Sequence, residues 1–183
     1  MQREEPGVAY KEWAPVVARL GAGRQILLLR KGGIAEGPGG FRPAHDWFWF
    51  HPTRFHPAPE KLQPGVDPAD EPPPGLSLAA SVAAARWLDD EARVDALTPW
   101  HAWAPEEVRR RFHFGKRPGL FALVVRVWRA VEPAPAPGDA AASGCRSWID
   151  LPARPGVKDW RPALDEAAFA AQSSAVQAAL GPQ

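Results

Sequence analysis

The chain has 183 residues, with 22 lysines and arginines against 21 acidic residues, and therefore a net charge of +1 at pH 7. This length is typical of one domain with its own buried core, so we expect a single domain over residues 1–183. The lone cysteine, Cys145, excludes an internal disulfide framework, and no run approaches the roughly 18 apolar residues of a membrane-spanning helix. The opening residues lack the apolar run of a signal peptide, and we therefore expect a cytoplasmic protein without membrane association.

The first third of the chain is predicted to form one helix and two strands. Val8 to Leu20 carries apolar residues at the three-and-four spacing of a helix that faces a core. Arg24 to Lys31 is predicted to be a strand, and its run Ile26 to Leu29 indicates burial on both faces. Asp46 to Phe50 is a second predicted strand, in which tryptophans point one way and phenylalanines the other; His51-Pro52-Thr53 is expected to end it.

Two proline-rich segments are predicted to be long loops within this one domain. Residues 57–75 contain seven prolines, and residues 132–143 alternate proline with alanine. Proline removes a backbone donor and fixes φ, which favours irregular or extended structure.

The remaining segments are predicted to add two strands and three helices. We expect helices over Ser77 to Ala92, Pro105 to Phe112 and Ala163 to Leu180, and strands over Leu120 to Val131 and Ser147 to Leu151. Strands and helices do not alternate regularly along the chain. This order predicts an α+β fold in which a small mixed sheet curls into a partial barrel with flanking helices.

The near-zero net charge conceals a strong division along the chain. Residues 101–129 carry a charge of +5, whereas residues 60–95 carry −5. A basic region of this kind is typical of proteins with an anionic partner, although such charges also pair across a fold.

Several familiar sites are not predicted. Gly21-Ala22-Gly23 and Gly32-Gly33 lack the spacing of a nucleotide-binding loop and are interpreted as turns. The histidines have no local zinc spacing, so we expect neither a metal nor a cofactor. His56 and His101 remain candidate acid–base groups. Cys145 is interpreted as a packing residue.

Nine tryptophans are the most unusual feature of the composition. Most are expected in the core, because their neighbours are apolar. Trp100, Trp103 and Trp148 lie beside polar or cationic residues, where an indole ring can also stack on a nucleic-acid base.

Several motifs together resemble a known bacterial family. They are Lys11-Glu12-Trp13-Ala14, Gly23 to Ile34, Glu36, Phe41, Phe48 to Thr53, His56, Arg126 to Arg129 and Gly144 to Trp148. This set resembles the domain of unknown function 1802 family, which implies no particular activity.

A second resemblance rests on a shorter set of residues. Glu12-Trp13-Ala14 followed by Gly23 and Arg30 is similar to the opening of ASCH domains, with Arg24 and Leu28 at the lysine and glutamate positions. This resemblance implies a PUA-like barrel and a link to RNA binding or processing.

Three functions follow from these observations. The first is an RNA-associated module with a basic cleft, in which RNA or another anionic ligand contacts Lys11, Glu12, Trp13, Arg30, Lys31, Arg126 and Trp148. The second is an enzyme acting on phosphodiesters, with Glu36 and His56 as catalytic residues. The third is a non-catalytic scaffold that binds a protein partner. The oligomeric state is left open.

Overall fold

The computed structural model describes residues 4–31, 43–54, 58–136 and 146–182. Within these ranges the chain forms seven strands: β1 Val8–Trp13, β2 Leu27–Arg30, β3 Trp47–Thr53, β4 Leu76–Leu88, β5 Leu120–Ala134, β6 Trp148–Asp150 and β7 Trp160–Pro162. It also forms four α-helices: α1 Ala14–Gly21, α2 Glu91–Asp95, α3 Pro105–Phe112 and α4 Glu166–Leu180. No helix of the described ranges is long and apolar enough to cross a membrane.

The seven strands form one mixed sheet in the order β2-β5-β4-β3-β1-β6, with β7 beside β5. β1 and β3 are parallel, whereas the other described pairs are antiparallel. The predicted α+β fold with a small mixed sheet is therefore confirmed.

The sheet curls until its two ends approach each other. β2 and β6 lie at opposite ends of the strand order, yet Arg30 at the end of β2 donates to Ser147, which directly precedes β6. The Arg30 Nε and Nη2 atoms lie 3.0 and 2.6 Å from the Ser147 hydroxyl oxygen. We call this junction of Arg30 and Ser147 the seam. It joins the ends of an open sheet through side chains, as expected of a partial barrel.

Two apolar clusters cover the two faces of the sheet. The larger includes Tyr10, Phe48 and Phe50, and the smaller includes Ala9 and Trp49. Arg30 passes over the Tyr10 ring to reach Ser147, which places the larger cluster on the inner face. Successive residues of a strand point to opposite faces, so the tryptophans of β3 pack in the smaller cluster and its phenylalanines in the larger one, as predicted.

The predicted helix over Ser77 to Ala92 is wrong, since Leu76–Leu88 forms strand β4. Alanine favours a helix locally, but β4 pairs with β5 along almost its whole length and with β3 near its start. Ala79 lies between Trp49 of β3 and Trp128 of β5. Small side chains here leave room for the large rings of the neighbouring strands, which explains the alanines in a strand.

The predicted helix over Val8 to Leu20 is half wrong. Val8–Trp13 is strand β1, and helix α1 begins at Ala14, with Pro15 in its first turn. Proline is tolerated there because the first N–H groups of a helix have no intrahelical partner.

Other boundaries differ from the predictions by smaller amounts. α3 has the predicted bounds, whereas β3 continues through His51-Pro52-Thr53 and β5 extends into the predicted loop as far as Ala134. α4 begins at Glu166, because the Asp165 carboxylate accepts the Ala168 N–H at 2.7 Å and caps the helix.

Candidate functional site

Arg30 occupies the centre of the seam. It is the last residue of β2 and is paired with Phe121 of β5. Its guanidinium carbon lies 5.5 Å from the centre of the Tyr10 ring, in cation–π contact, while two of its N–H groups point to Ser147. The side chain is half-buried. A positive charge is thereby fixed at the junction of the two sheet ends.

Aromatic rings form the wall beside this charge. The Tyr10 ring lies 5.4 Å from Phe48 and 5.0 Å from Trp148, measured between ring centres. Trp148 in turn contacts the His45 ring edge-on at 4.8 Å. Trp148 and His45 are both partly exposed.

Ser147 is fully buried and held by the backbone of β1. Its carbonyl oxygen accepts the Lys11 N–H at 2.8 Å, one step beyond the regular β1–β6 ladder. Lys11 is only 8% exposed and is paired with His51 of β3. The β1 strand therefore positions both the lysine and the hydroxyl that receives Arg30.

Glu12 is a buried carboxylate on β1, two residues after Tyr10, with a relative exposure of 3%. Its Oε1 atom accepts the Trp13 N–H at 2.8 Å, at the start of α1. Its Oε2 atom is buried and has no hydrogen-bond partner among the described residues. Tyr10, Arg30, Ser147 and Trp148 together are called the mouth below.

Trp13 belongs to a separate stack on the α3 side of the sheet. Its ring lies 5.2 Å from Trp103 with the planes 21° apart, and the Arg111 guanidinium lies 3.7 Å from the Trp103 ring centre. Glu107 accepts hydrogen bonds from Arg110 and Arg111, each at 2.8 Å. One face of the Trp13 ring therefore packs on Trp103, and Arg110 and Arg111 are bonded to Glu107 of their own helix.

His101 lies deep beneath this stack. Burial, followed by the charge of Arg111, lowers its pKa from 6.5 to about 4. Its Nδ1 atom accepts the Trp103 N–H at 3.2 Å, so the neutral ring carries its proton on Nε2. At neutral pH His101 is therefore an uncharged, buried packing residue.

Lys31 turns away from the mouth. Its ammonium group donates to the carbonyls of Phe112 and Arg117, and lies 5.2 Å from the Trp87 ring centre. Burial and the charge of Arg117 lower the pKa of Lys31. Lys31 therefore ties the end of β2 to the turn that follows α3.

Arg126 lies further along β5. The register pairs Phe121 with Arg30, which puts Arg126 five residues away, roughly 17 Å along an extended strand. Its guanidinium bonds Glu166 at 2.5 Å and lies over Phe169 of α4. The predicted residues of the basic cleft are thus divided: Arg30 and Trp148 both contact Tyr10 at the mouth, Lys11 and Glu12 are buried on β1, and Lys31 and Arg126 contact helices.

Both predicted catalytic residues, Glu36 and His56, lie outside the described residues, as do Gly32-Gly33 and Cys145. Across ranges 4–31, 43–54, 58–136 and 146–182, no three His, Cys, Asp or Glu side chains group as a metal site would require.

Sequence reasoning missed the parts that Tyr10 and Ser147 play. The alternation in Val8–Trp13 contains the signal, because a strand here places Tyr10 and Glu12 on one face. Interpreting the segment as a helix concealed this pairing. No local pattern connects Ser147 with Arg30, since 117 residues separate them.

Comparison with known proteins identifies the family. The chain belongs to the family described as domain of unknown function DUF1802, whose family model matches residues 9–175. This result confirms the first resemblance noted in the sequence. A search of curated proteins gives no match.

Among solved structures, the chain is similar to ASCH proteins of Zymomonas mobilis. One such structure shares 14% identity over 92% of this chain and 94% of that chain, with a TM-score of 0.45. A tyrosine-to-phenylalanine variant of the same protein has 14% identity over 94% and 98% of the two chains and a TM-score of 0.42. A serine-to-alanine variant has 14% identity over 92% and 94%, with a TM-score of 0.40.

Proposed function

We propose that this chain is an RNA-binding module that holds single-stranded RNA at the mouth. The observation that carries the proposal is the seam, where Arg30 is fixed by Ser147 and Tyr10 beside the partly exposed ring of Trp148. The proposed ligand-contacting residues are Arg30 and Trp148, since Lys11 and Glu12 are buried and Trp13 is stacked on Trp103.

The chemistry of the mouth suits a nucleotide. A guanidinium binds phosphate through charge-assisted hydrogen bonds, and its orientation by Ser147 lowers the entropy lost on binding. An indole ring stacks on any base, whatever its sequence. The sequence resemblance to ASCH domains, a group linked to RNA, supports the same class of ligand.

Lys31 and Arg126 are given no ligand contact in this proposal. Lys31 donates to two backbone carbonyls, and Arg126 is bonded to a carboxylate of α4. Both contacts stabilise the fold.

The test compares Arg30→Ala with a matched control, Arg161→Ala, whose side chain is exposed on β7. Both variants lose one positive charge. Binding of a fluorescent ten-nucleotide RNA of mixed sequence is measured by anisotropy at several salt concentrations. We expect Arg30→Ala to weaken binding by about tenfold or more and to reduce the slope of log affinity against log salt by about one, since one phosphate contact is lost.

Arg161→Ala is expected to change affinity by less than about twofold, because rim charges contribute little. Equal losses in the two variants would show that only net charge matters and would reject the mouth as the binding site. Absence of binding to the wild-type chain at low salt would reject RNA altogether.

Cleavage by Glu36 and His56 stays a prediction beside this proposal. The RNA recovered from the same titrations is run on a denaturing gel. If it is shortened by the wild-type chain and remains intact with Glu36→Ala or His56→Ala, the enzymatic alternative gains support.

A further inference from the structure

We infer that the exposed turn after α3 is a second RNA contact, where Phe114 stacks on a base and Lys116 and Arg117 bind phosphate; the inference rests on the RNA binding proposed above. Residues 113–118 are all exposed, and we call them the α3 turn. A row of neighbouring aromatic and cationic side chains leads from Arg30 of the mouth to this turn.

The row begins at Arg30 and crosses the sheet. Arg30 of β2 is opposite Phe121 of β5, and Phe121 is opposite Trp87 of β4. Residues opposite each other in antiparallel strands point to the same face. Since neighbouring strands are about 4.8 Å apart, Trp87 lies about 10 Å from Arg30 on that face. All three side chains are partly exposed.

Trp87 connects the row with the α3 turn. Its ring lies 5.2 Å from the Phe121 ring, measured between centres, with the planes 72° apart. The guanidinium carbon of Arg117 lies 4.9 Å from the Trp87 ring centre, in cation–π contact. A strand of RNA whose phosphate contacts Arg30 therefore has Arg117 within reach of a following phosphate.

Backbone acceptors fix the α3 turn beside the end of β2. Lys31 directly follows Arg30, and its ammonium group donates to the Phe112 carbonyl at 3.0 Å and to the Arg117 carbonyl. The Phe112 carbonyl also accepts the Gly119 N–H at 2.9 Å, which closes the turn. Because the turn is held before a ligand arrives, less conformational entropy is lost on binding there.

The side chains of the turn suit an anionic strand with exposed bases. Phe114 is 49% exposed, and a ring of this kind offers a stacking face to any base. The Arg117 guanidinium lies 3.9 Å from the Asp89 carboxylate, with both side chains largely exposed. Exposed ion pairs contribute little, so a phosphate can replace Asp89. An apolar protein partner would instead desolvate the cations around Phe114 without neutralising them.

The experiment pairs each variant of the turn with a control of the same chemistry. Phe114→Ala is compared with Val131→Ala, because Val131 is the other exposed large hydrophobic residue of the described ranges, at 46%. Lys116→Ala is compared with Lys158→Ala, which is also exposed. Val131 and Lys158 lie towards the end of β5 that pairs with β7, away from Phe121. Binding of the labelled ten-nucleotide RNA is measured by anisotropy at several salt concentrations, and urea denaturation verifies that each variant is folded.

We expect Phe114→Ala to weaken binding at least about fivefold, since one base loses its stacking partner. Lys116→Ala should reduce the slope of log affinity against log salt by about one. Val131→Ala and Lys158→Ala should each stay within about twofold of the wild-type affinity.

If the variants of the turn behave like their controls while Arg30→Ala still weakens binding, this inference is wrong and the proposed function stands. If the wild-type chain binds no RNA at low salt, the proposed function itself is rejected. Self-association that Phe114→Ala abolishes without changing RNA affinity would assign the turn to a protein interface and would also overturn the inference.

A second measurement needs no variant. The wild-type chain is cross-linked by light to a ten-nucleotide RNA that contains photoreactive thiouridine, and tryptic peptides are identified by mass spectrometry. We expect cross-links in the peptide Phe112–Lys116 as well as in the peptide that contains Trp148. Cross-links confined to the Trp148 peptide would overturn the second contact, whereas cross-links in neither peptide would reject the mouth and the proposed function with it.

Discussion

Ser147 has a fully buried side chain, and its hydroxyl accepts two N–H bonds from a half-buried guanidinium. Two strands fix the position of Ser147. The Lys11 N–H of β1 donates to its carbonyl oxygen, and β6 begins at the next residue. At the scale of single residues, Ser147 therefore joins the end of β2 to β1, two segments that are far from it in the sequence.

Ser147→Ala tests the seam. The substitution removes the acceptor of both Arg30 bonds, and hydrogen bonds to charged groups contribute about 1.5 kcal/mol or more. We expect the free energy of unfolding, measured by urea denaturation, to fall by about that amount, and RNA affinity to fall with it. Ser174→Ala, at an exposed position of α4, is the control and should change stability by less than about 0.5 kcal/mol. If Ser147→Ala leaves the free energy of unfolding unchanged, the bonds between Arg30 and Ser147 do not stabilise the fold.

His101 predicts a dependence of stability on pH. Its pKa in the folded chain is about 4, against 6.5 for an ordinary histidine, chiefly because it is buried. Between these values the unfolded chain binds a proton that the folded chain does not, so stability is complete above pH 6.5 and falls as the pH drops toward 4. From pH 7 to pH 4.5 this one group should cost about 2 kcal/mol.

The measurement is urea denaturation of the wild-type chain and His101→Asn at both pH values. Asparagine keeps an acceptor for the Trp103 N–H but does not titrate. The variant should lose about 2 kcal/mol less than the wild-type chain on acidification. An equal pH dependence in His101→Asn would refute the lowered pKa.

At the scale of elements, local chemistry decided some segments and neighbours decided others. The bounds of α3 follow from its own residues, because Pro105 fits the first turn, two glutamates lie near the positive end and three arginines near the negative end. In β4 the alanines favour a helix, yet pairing with β3 and β5 makes them a strand. Propensity is a weak bias that tertiary pairing overrides.

Ala79→Val tests this explanation of β4. Ala79 is fully buried between Trp49 and Trp128, so added methyl groups must displace an indole ring. We expect a loss of about 1–3 kcal/mol in the free energy of unfolding. Ala83→Val on the same strand is the control: its side chain is exposed, and valine suits a strand, so stability should stay within about 0.5 kcal/mol. If Ala79→Val leaves the free energy of unfolding unchanged, the alanines of β4 are not needed to leave room for the indole rings.

At the scale of the whole molecule, β5 is the central element. It pairs with β2, β4 and β7, whereas β6 is a three-residue strand at the end of the sheet. Opening β5 requires separation of three neighbours, but opening β6 requires separation from β1 alone among the described strands. The seam is therefore joined to the least supported end of the sheet.

Hydrogen exchange followed by mass spectrometry tests this arrangement. Amides of residues 122–127 in β5 should exchange only with global unfolding, whereas amides of residues 148–150 in β6 should exchange faster through local opening. RNA bound at the mouth should slow exchange in β6 without changing β5. Equal protection of the two strands in the unbound chain would contradict the expectation that β6 opens more readily than β5.

The sequence by itself determined the α+β class, the positions of β2, β3, α3 and α4, and the family, because these depend on short-range patterns and motifs. It also placed Arg30 at the end of a buried strand. Only the tertiary structure decided that Arg30 meets Ser147, that Glu12 shares a face with Tyr10, and that Lys31 and Arg126 turn to helices. The physical reason is that strand register and sheet curvature arise from contacts between distant segments, and a single side chain changes face when the register shifts by one residue.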